Sequence, residues 1–192
     1  MAEFEDLKET LKRAAAVLRD ADVPFLLGGG LAAWARGGPE TEHDLDLMLR
    51  PEDAEQALRA LEDAGFRVEK PPEEWLYKAW DGDVMIDLIF NPTGNPVDDS
   101  MFERADELEV QAVSMKAMAL EDVMVTKLLA LREHQVDYES VLEIARALRE
   151  QIDWDTVWRQ SSQSPYARAF FHLAEELGIL DERRAARSPA DG

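Results

Sequence analysis

The chain has 192 residues, room for one compact domain with a small helical annex and not for a multi-domain assembly. Its formal charge of −20 disfavours a surface that grips phosphate backbones, and 46% hydrophobic with 32% charged residues excludes a disordered chain. The lack of cysteine excludes a disulfide framework, a thiolate zinc site and a cysteine nucleophile; an acidic N-terminus and no spanning apolar run set the expectation of a cytoplasmic protein without membrane contact.

Leu7, Leu11, Ala14, Ala15 and Leu18 recur at three- and four-residue steps and predict an amphipathic helix over 5–20. Residues 24–27 read as a short buried strand entering the turn Gly28-Gly29-Gly30, and 31–36 as a new helix. After the turn formers Gly37-Gly38-Pro39, residues 43–49 alternate polar and apolar as a strand does. Residues 51–64 predict a helix with Ala54, Ala57, Leu58 and Leu61 on one side and Gly65 just past its end; 66–69 return to extended structure. Residues 75–80 and 84–90, separated by Asp81-Gly82-Asp83, predict a hairpin. Residues 91–100 read as a loop and 108–113 as one more strand, after which 120–133, 138–150, 153–160 and 165–177 carry helical spacing. The pattern is an α/β front with a helical back: a core with an N-terminal helix over 1–115, a helical subdomain over 116–180 and a frayed tail over 181–192.

On a strand, Asp44 and Asp46 share a face while Leu45, Leu47 and Leu49 turn to the other. Adjacent carboxylates repel, which a divalent cation relieves; spacing alone serves equally well for a plain solvent-facing acidic side. Asp87 lies within 84–90 among apolar neighbours only, so its strand is expected to be central and its carboxylate partly buried. Such a group needs a metal, a hydrogen-bonding network or an ordinary partner such as a nearby arginine. If that strand lies beside the one carrying Asp44 and Asp46, three carboxylates converge. Gly28-Gly29-Gly30 is in itself only a turn, yet its amides open a helix and allow an anion to approach closely.

Gly29-Gly30-Leu31-Ala32, then Thr41, the pair Asp44-Leu45-Asp46 and Asp87 on a later strand together resemble the nucleotidyltransferase superfamily with the DNA polymerase β-type fold. Lys127, Ala130, Arg132 and Asp137 stand in an arrangement similar to bacterial minimal and AbiEii-type nucleotidyltransferases, and the resemblance covers about residues 25–147. It implies an α/β (α+β) fold, a mixed β-sheet flanked by helices with a C-terminal helical bundle. It also implies a magnesium-dependent transferase with two Mg²⁺ ions, moving a nucleoside monophosphate from an NTP to a hydroxyl of a small molecule or protein, in antibiotic modification or a toxin-type role. By the matching positions Asp44, Asp46 and Asp87 are the catalytic and metal-binding residues, Asp87 also helping to deprotonate the acceptor. Gly28, Gly29, Gly30, Thr41 and Lys127 are the nucleotide-binding ones. Implied partners are the NTP, the acceptor and a cognate antitoxin or second copy of the chain, nucleic acid being disfavoured by charge.

Leu31 stands where many members carry Ser or Thr, and Glu40-Thr41-Glu42 offers no arginine ahead of the acid pair. These departures support an alternative, a catalytically weak or inactive module of the same fold that binds nucleotide or a protein partner. Arg36 and Arg50 are the nearby cations, each expected to be a solvated element-end residue unless it supplies that charge. His43 is expected to face the core behind the acid pair, and Trp75 and Tyr77 are candidates to line an acceptor pocket.

Overall fold

The computed structural model describes residues 4–41 and 45–181. Its strands are β1 (Leu26–Leu27), β2 (Leu45–Met48), β3 (Arg67–Glu69), β4 (Leu76–Asp81), β5 (Val84–Ile89), β6 (Asp106–Val110) and β7 (Val113–Ala117). They form one mixed sheet in the order β3-β4-β5-β2-β1-β7-β6. β2 runs parallel to β5 and β1 parallel to β7, while the remaining neighbours are antiparallel.

The leucines expected to turn inward do so. Leu45 and Leu47, with their register partners Ile86 and Leu88, are fully buried in the core shared with α1 (Phe4–Asp20) and α3 (Ala54–Asp63). Each such side chain contributes about 2 kcal/mol through removal from water. Strand alternation then sends Asp46 and Asp87 to the opposite face. α3 ends as its sequence predicts: Gly65 N–H donates to the Glu62 carbonyl at 2.9 Å and Phe66 N–H to that of Leu61 at 3.0 Å. Arg13 of α1 stacks on the Phe66 ring and pairs with Asp81 at the β4–β5 turn, tying that hairpin to the helical layer.

A second apolar cluster gathers Met124 and Leu128 of α5 (Leu120–Ala130), Ile144 of α6 (Glu139–Leu148), Trp154 of α7 (Trp154–Ser161) and Phe170 of α8 (Pro165–Glu176). α2 (Gly29–Trp34) packs on α5 and links the clusters through Ala33. Among the described residues no helix is long and apolar enough to cross a membrane.

Two segments differ from the sequence expectation. Within and after the expected loop at 91–100 lie a 3-10 turn, Pro92–Gly94, and a short helix, α4 (Asp99–Arg104), capped by Asp98, whose carboxylate accepts from the Met101 amide at 3.1 Å. α4 is pinned to the start of α5 by Arg104, which donates to both oxygens of buried Asp122 at 3.1 and 3.2 Å. The single strand expected at 108–113 is instead a hairpin, β6 and β7, turning at Gln111 and Ala112. Both turn residues have positive φ, 53° and 60°, in a two-residue connection that Asn-Gly would normally fill. Ala112→Gly is therefore expected to raise stability by about 1 kcal/mol, read as a higher midpoint in urea with an unchanged slope.

Candidate active site

Strand register assembles the site. Glu69 of β3, Lys78 of β4, Asp87 of β5 and Asp46 of β2 are successive partners across the sheet. Partners share a face, so this row of charges crosses the same side of the sheet. At its end the Gly28 N–H donates to the Asp46 carbonyl at 2.9 Å. Asp46 and Asp87 thus stand side by side on neighbouring parallel strands. The carboxylate of Asp87, with its side chain 15% exposed, accepts from Lys78 Nζ at 2.8 Å through Oδ1. Its ordinary partner is thus a lysine.

The glycines are shaped by what they approach. A Cβ on Gly29 would lie 1.7 Å from Asp46 Oδ2, and Gly29 has φ +53°, so both sterics and backbone require glycine there. A Cβ on Gly30 would lie 2.8 Å from Thr41 Oγ1, and one on Gly28 3.1 Å from Met48 Cγ. The turn is packed against Asp46, Thr41 and Met48, which fixes where these side chains stand. Leu31 is a core residue, 1% exposed. Thr41 sets its hydroxyl beside Gly30.

Asp46 and Lys127 border two cavities together. One, of about 660 Å³, is also lined by Gly30, Glu40, Thr41, Asp137, Glu139 and Glu143. The other, of about 900 Å³, is bordered by Gly29, Met48, Trp75, Ile89, Met118 and Arg132. Lys127 is half-buried on α5 and has no ion pair among the described residues. Asp137 caps the approach to α6, accepting from the Glu139 amide at 2.9 Å.

Several expected residues are placed elsewhere. Arg36 is not a solvated helix end: its side chain is 8% exposed, pairs with Asp106 at 2.8 Å and donates to the Ala32 carbonyl at 2.9 Å. Arg50 pairs with Asp99 at 2.7 Å and lies over the Phe102 ring. Both charges are spent in holding the sheet ends, and neither lines the two cavities. Trp75 borders the larger cavity, but Tyr77 turns to the other face of the sheet, where its hydroxyl donates to Glu55 of α3 at 3.1 Å. Burial, then that hydrogen bond, holds the Tyr77 phenol above its usual range. Asp44 and His43 lie outside the described residues.

Among the described residues no group of three acidic or histidine side chains gathers as metal ligands. The described donor set is Asp46 and Asp87, in register on one face, with Gly29 leaving room against Asp46 Oδ2. That set fits Mg²⁺, which binds through one or two carboxylates and completes its shell with water and substrate phosphates.

A family described as "Uncharacterised nucleotidyltransferase" matches residues 6–178. No curated protein matches the sequence. Solved structures share the fold at low identity. The antibiotic-resistance factor ANT(2″)-Ia, in complex with adenylyl-2″-tobramycin, is 15% identical with a TM-score of 0.61, covering 86% of this chain and 97% of its own. The lincosamide antibiotic adenylyltransferase LnuA, lincomycin-bound, is 13% identical with a TM-score of 0.53, covering 75% of this chain and 97% of its own. An antigenic nucleotidyltransferase-like protein from Paracoccidioides brasiliensis is 13% identical with a TM-score of 0.58, covering 95% and 93%. With the mixed sheet, its flanking helices and a family match spanning nearly the whole sequence, the chain belongs to this nucleotidyltransferase family.

Proposed function

We propose that the protein transfers a nucleoside monophosphate from an NTP to a hydroxyl of a small, amine-bearing acceptor, in a reaction that depends on a divalent metal. The observation that carries this reading is the register pairing of Asp46 with Asp87 beside a glycine turn that only glycine fits. Asp44, Asp46 and Asp87 are the proposed metal holders. A divalent cation held by these carboxylates would supply positive charge against the phosphates and the reacting oxygens. Asp87, in register with Asp46 but lining neither cavity, would take the proton of an acceptor hydroxyl that reaches in alongside Asp46; the hydroxyl oxygen bonds to the α-phosphorus and pyrophosphate leaves with the electron pair of the broken P–O bond.

The cavities support a division of labour. The smaller one carries five carboxylates, Glu40, Asp46, Asp137, Glu139 and Glu143, against the single cation Lys127, which suits an ammonium-bearing acceptor and repels a nucleotide. The larger one sets Lys127 and Arg132 against Asp46, Glu73 and Glu74 beside an apolar floor of Met48, Trp75 and Ile89; it is less negative and more apolar than the smaller one, and is the proposed place of the base and phosphates. Lys127 borders both, so the α-phosphate is proposed to sit at their junction. Gly28, Gly29, Gly30 and Thr41 are its proposed contacts, Thr41 substituting for the hydroxyl missing at Leu31. An antibiotic is the proposed acceptor class, supported by the aminoglycoside and lincosamide bound to the structural neighbours. The division into a core over 1–115 and a helical part over 116–180 belongs to the same proposal, supported by the two apolar clusters.

The test incubates the full chain with each of the four NTPs, Mg²⁺ and a panel of aminoglycosides, lincosamides and amine-free sugars, followed by mass spectrometry. A product heavier by one nucleoside monophosphate is expected on an amine-bearing acceptor, and about a thousandfold less of it with Asp46→Asn. Transfer at a rate near wild type in Asp46→Asn, or no product and no Mg²⁺-dependent nucleotide binding by calorimetry, rejects the reading.

A further inference from the structure

We propose that Lys78 sets the affinity of the site for its divalent cation, keeping binding weak until nucleotide phosphates supply additional negative charge. The inference rests on the reading of Asp46 and Asp87 as cation-holding carboxylates. The ammonium of Lys78 touches Asp87 Oδ1 at 2.8 Å, so one positive charge is built into the donor set. It is held in place: β4 is hydrogen-bonded on both sides, and Lys78 Nζ also lies 3.2 Å from Met85 Sδ. Glu69, its register partner on β3, is solvent-exposed and a weak rival for the ammonium.

Two opposing effects follow from removing that charge. Asp87 would lose a contact that orders it, weakening a cation site by the modest rotamer entropy of one short side chain. The cation would also lose repulsion from a fixed ammonium in contact with one of its own ligands. That repulsion acts on a double charge at short range in a partly buried site, and it outweighs the ordering effect. A nucleoside triphosphate carries enough negative charge to offset Lys78, so the metal would arrive with the nucleotide. Lys127, the other lysine at the site, adds to the same preference for phosphate.

The experiment measures Mn²⁺ binding to the full chain without nucleotide, by the electron paramagnetic resonance signal of free Mn²⁺. Lys78→Gln is expected to bind at least about tenfold more tightly than the wild type, and Lys78→Arg to match the wild type. With ATP present the Lys78→Gln effect should shrink, because the phosphates already offset the ammonium, which a merely structural role of Lys78 would not produce. Thermal unfolding of each variant identifies loss of fold, and Lys78→Arg preserves the charge where Lys78→Gln does not fold. In that event Lys78→Met, a neutral side chain of similar length, takes its place: binding tighter by about tenfold supports the inference and unchanged binding overturns it. Wild-type Mn²⁺ binding that depends on Asp46 and Asp87, with Lys78→Gln no tighter, overturns this inference alone. Absence of any Asp46-dependent Mn²⁺ binding, with or without ATP, overturns the transferase reading as well.

Discussion

Gly29→Ala is expected to lower nucleotidyl transfer by about a hundredfold or more and to destabilise the fold by about 2–3 kcal/mol. The added Cβ would fall 1.7 Å from Asp46 Oδ2 and 2.8 Å from its Cγ, on a residue whose φ is +53°. The carboxylate must move, and its strand position beside Asp87 leaves it little room to do so without giving up their shared face. Gly82→Ala separates the two causes. Its φ is +60° and nothing lies within 4 Å of the new methyl, so it carries backbone strain alone. It should cost about 1 kcal/mol and leave transfer unchanged. Urea denaturation of the two variants, set beside the mass-spectrometric transfer assay, makes the comparison. Equal losses in both variants would mean that strain, and not displacement of Asp46, governs position 29.

The residues that could be read from sequence are those whose surroundings are local. The apolar period of α1, the end of α3 at Gly65 and the alternation in β2 need only near neighbours, and they fold as read. The β6–β7 turn was hidden because Gln111 and Ala112 adopt positive φ without the glycine or asparagine that signals it. α4 was hidden because six residues carry too little periodicity, and its stability comes from Asp98 and from Arg104 reaching Asp122. Lys78 did carry a signal. A two-residue turn at Gly82-Asp83 pairs Asp81 with Val84, and stepping back along the hairpin from there places Lys78 opposite Asp87. Three-residue spacing through Asp81 obscures it. The pairing of Asp46 with Asp87 had no such signal, because a parallel register depends on the whole crossover through α3, β3 and β4. The burial of Arg36 has no local signal, because its partner Asp106 lies far along the chain, on an edge strand.

Asp46→Asn and Asp87→Asn are each expected to reduce transfer by about a thousandfold, since each removes a charge from the site where phosphate charge must be offset. Their effects on stability should differ. Asp87 is the ion-pair partner of Lys78, and both side chains are mostly buried, 15% and 25% exposed. The amide leaves Lys78 with a neutral acceptor and costs about 1–2 kcal/mol. Asp46 faces a like charge in register, and neutralising it relieves that repulsion, offsetting part of any contact it gives up. Asp87→Asn should therefore be the less stable variant by about 1 kcal/mol, although both lose activity alike. Urea midpoints measured beside transfer rates check this ordering. Equal stability in the two would show that Lys78 draws nothing from the charge on Asp87. A residual rate near wild type in either would remove that carboxylate from the reaction, whatever its effect on the fold.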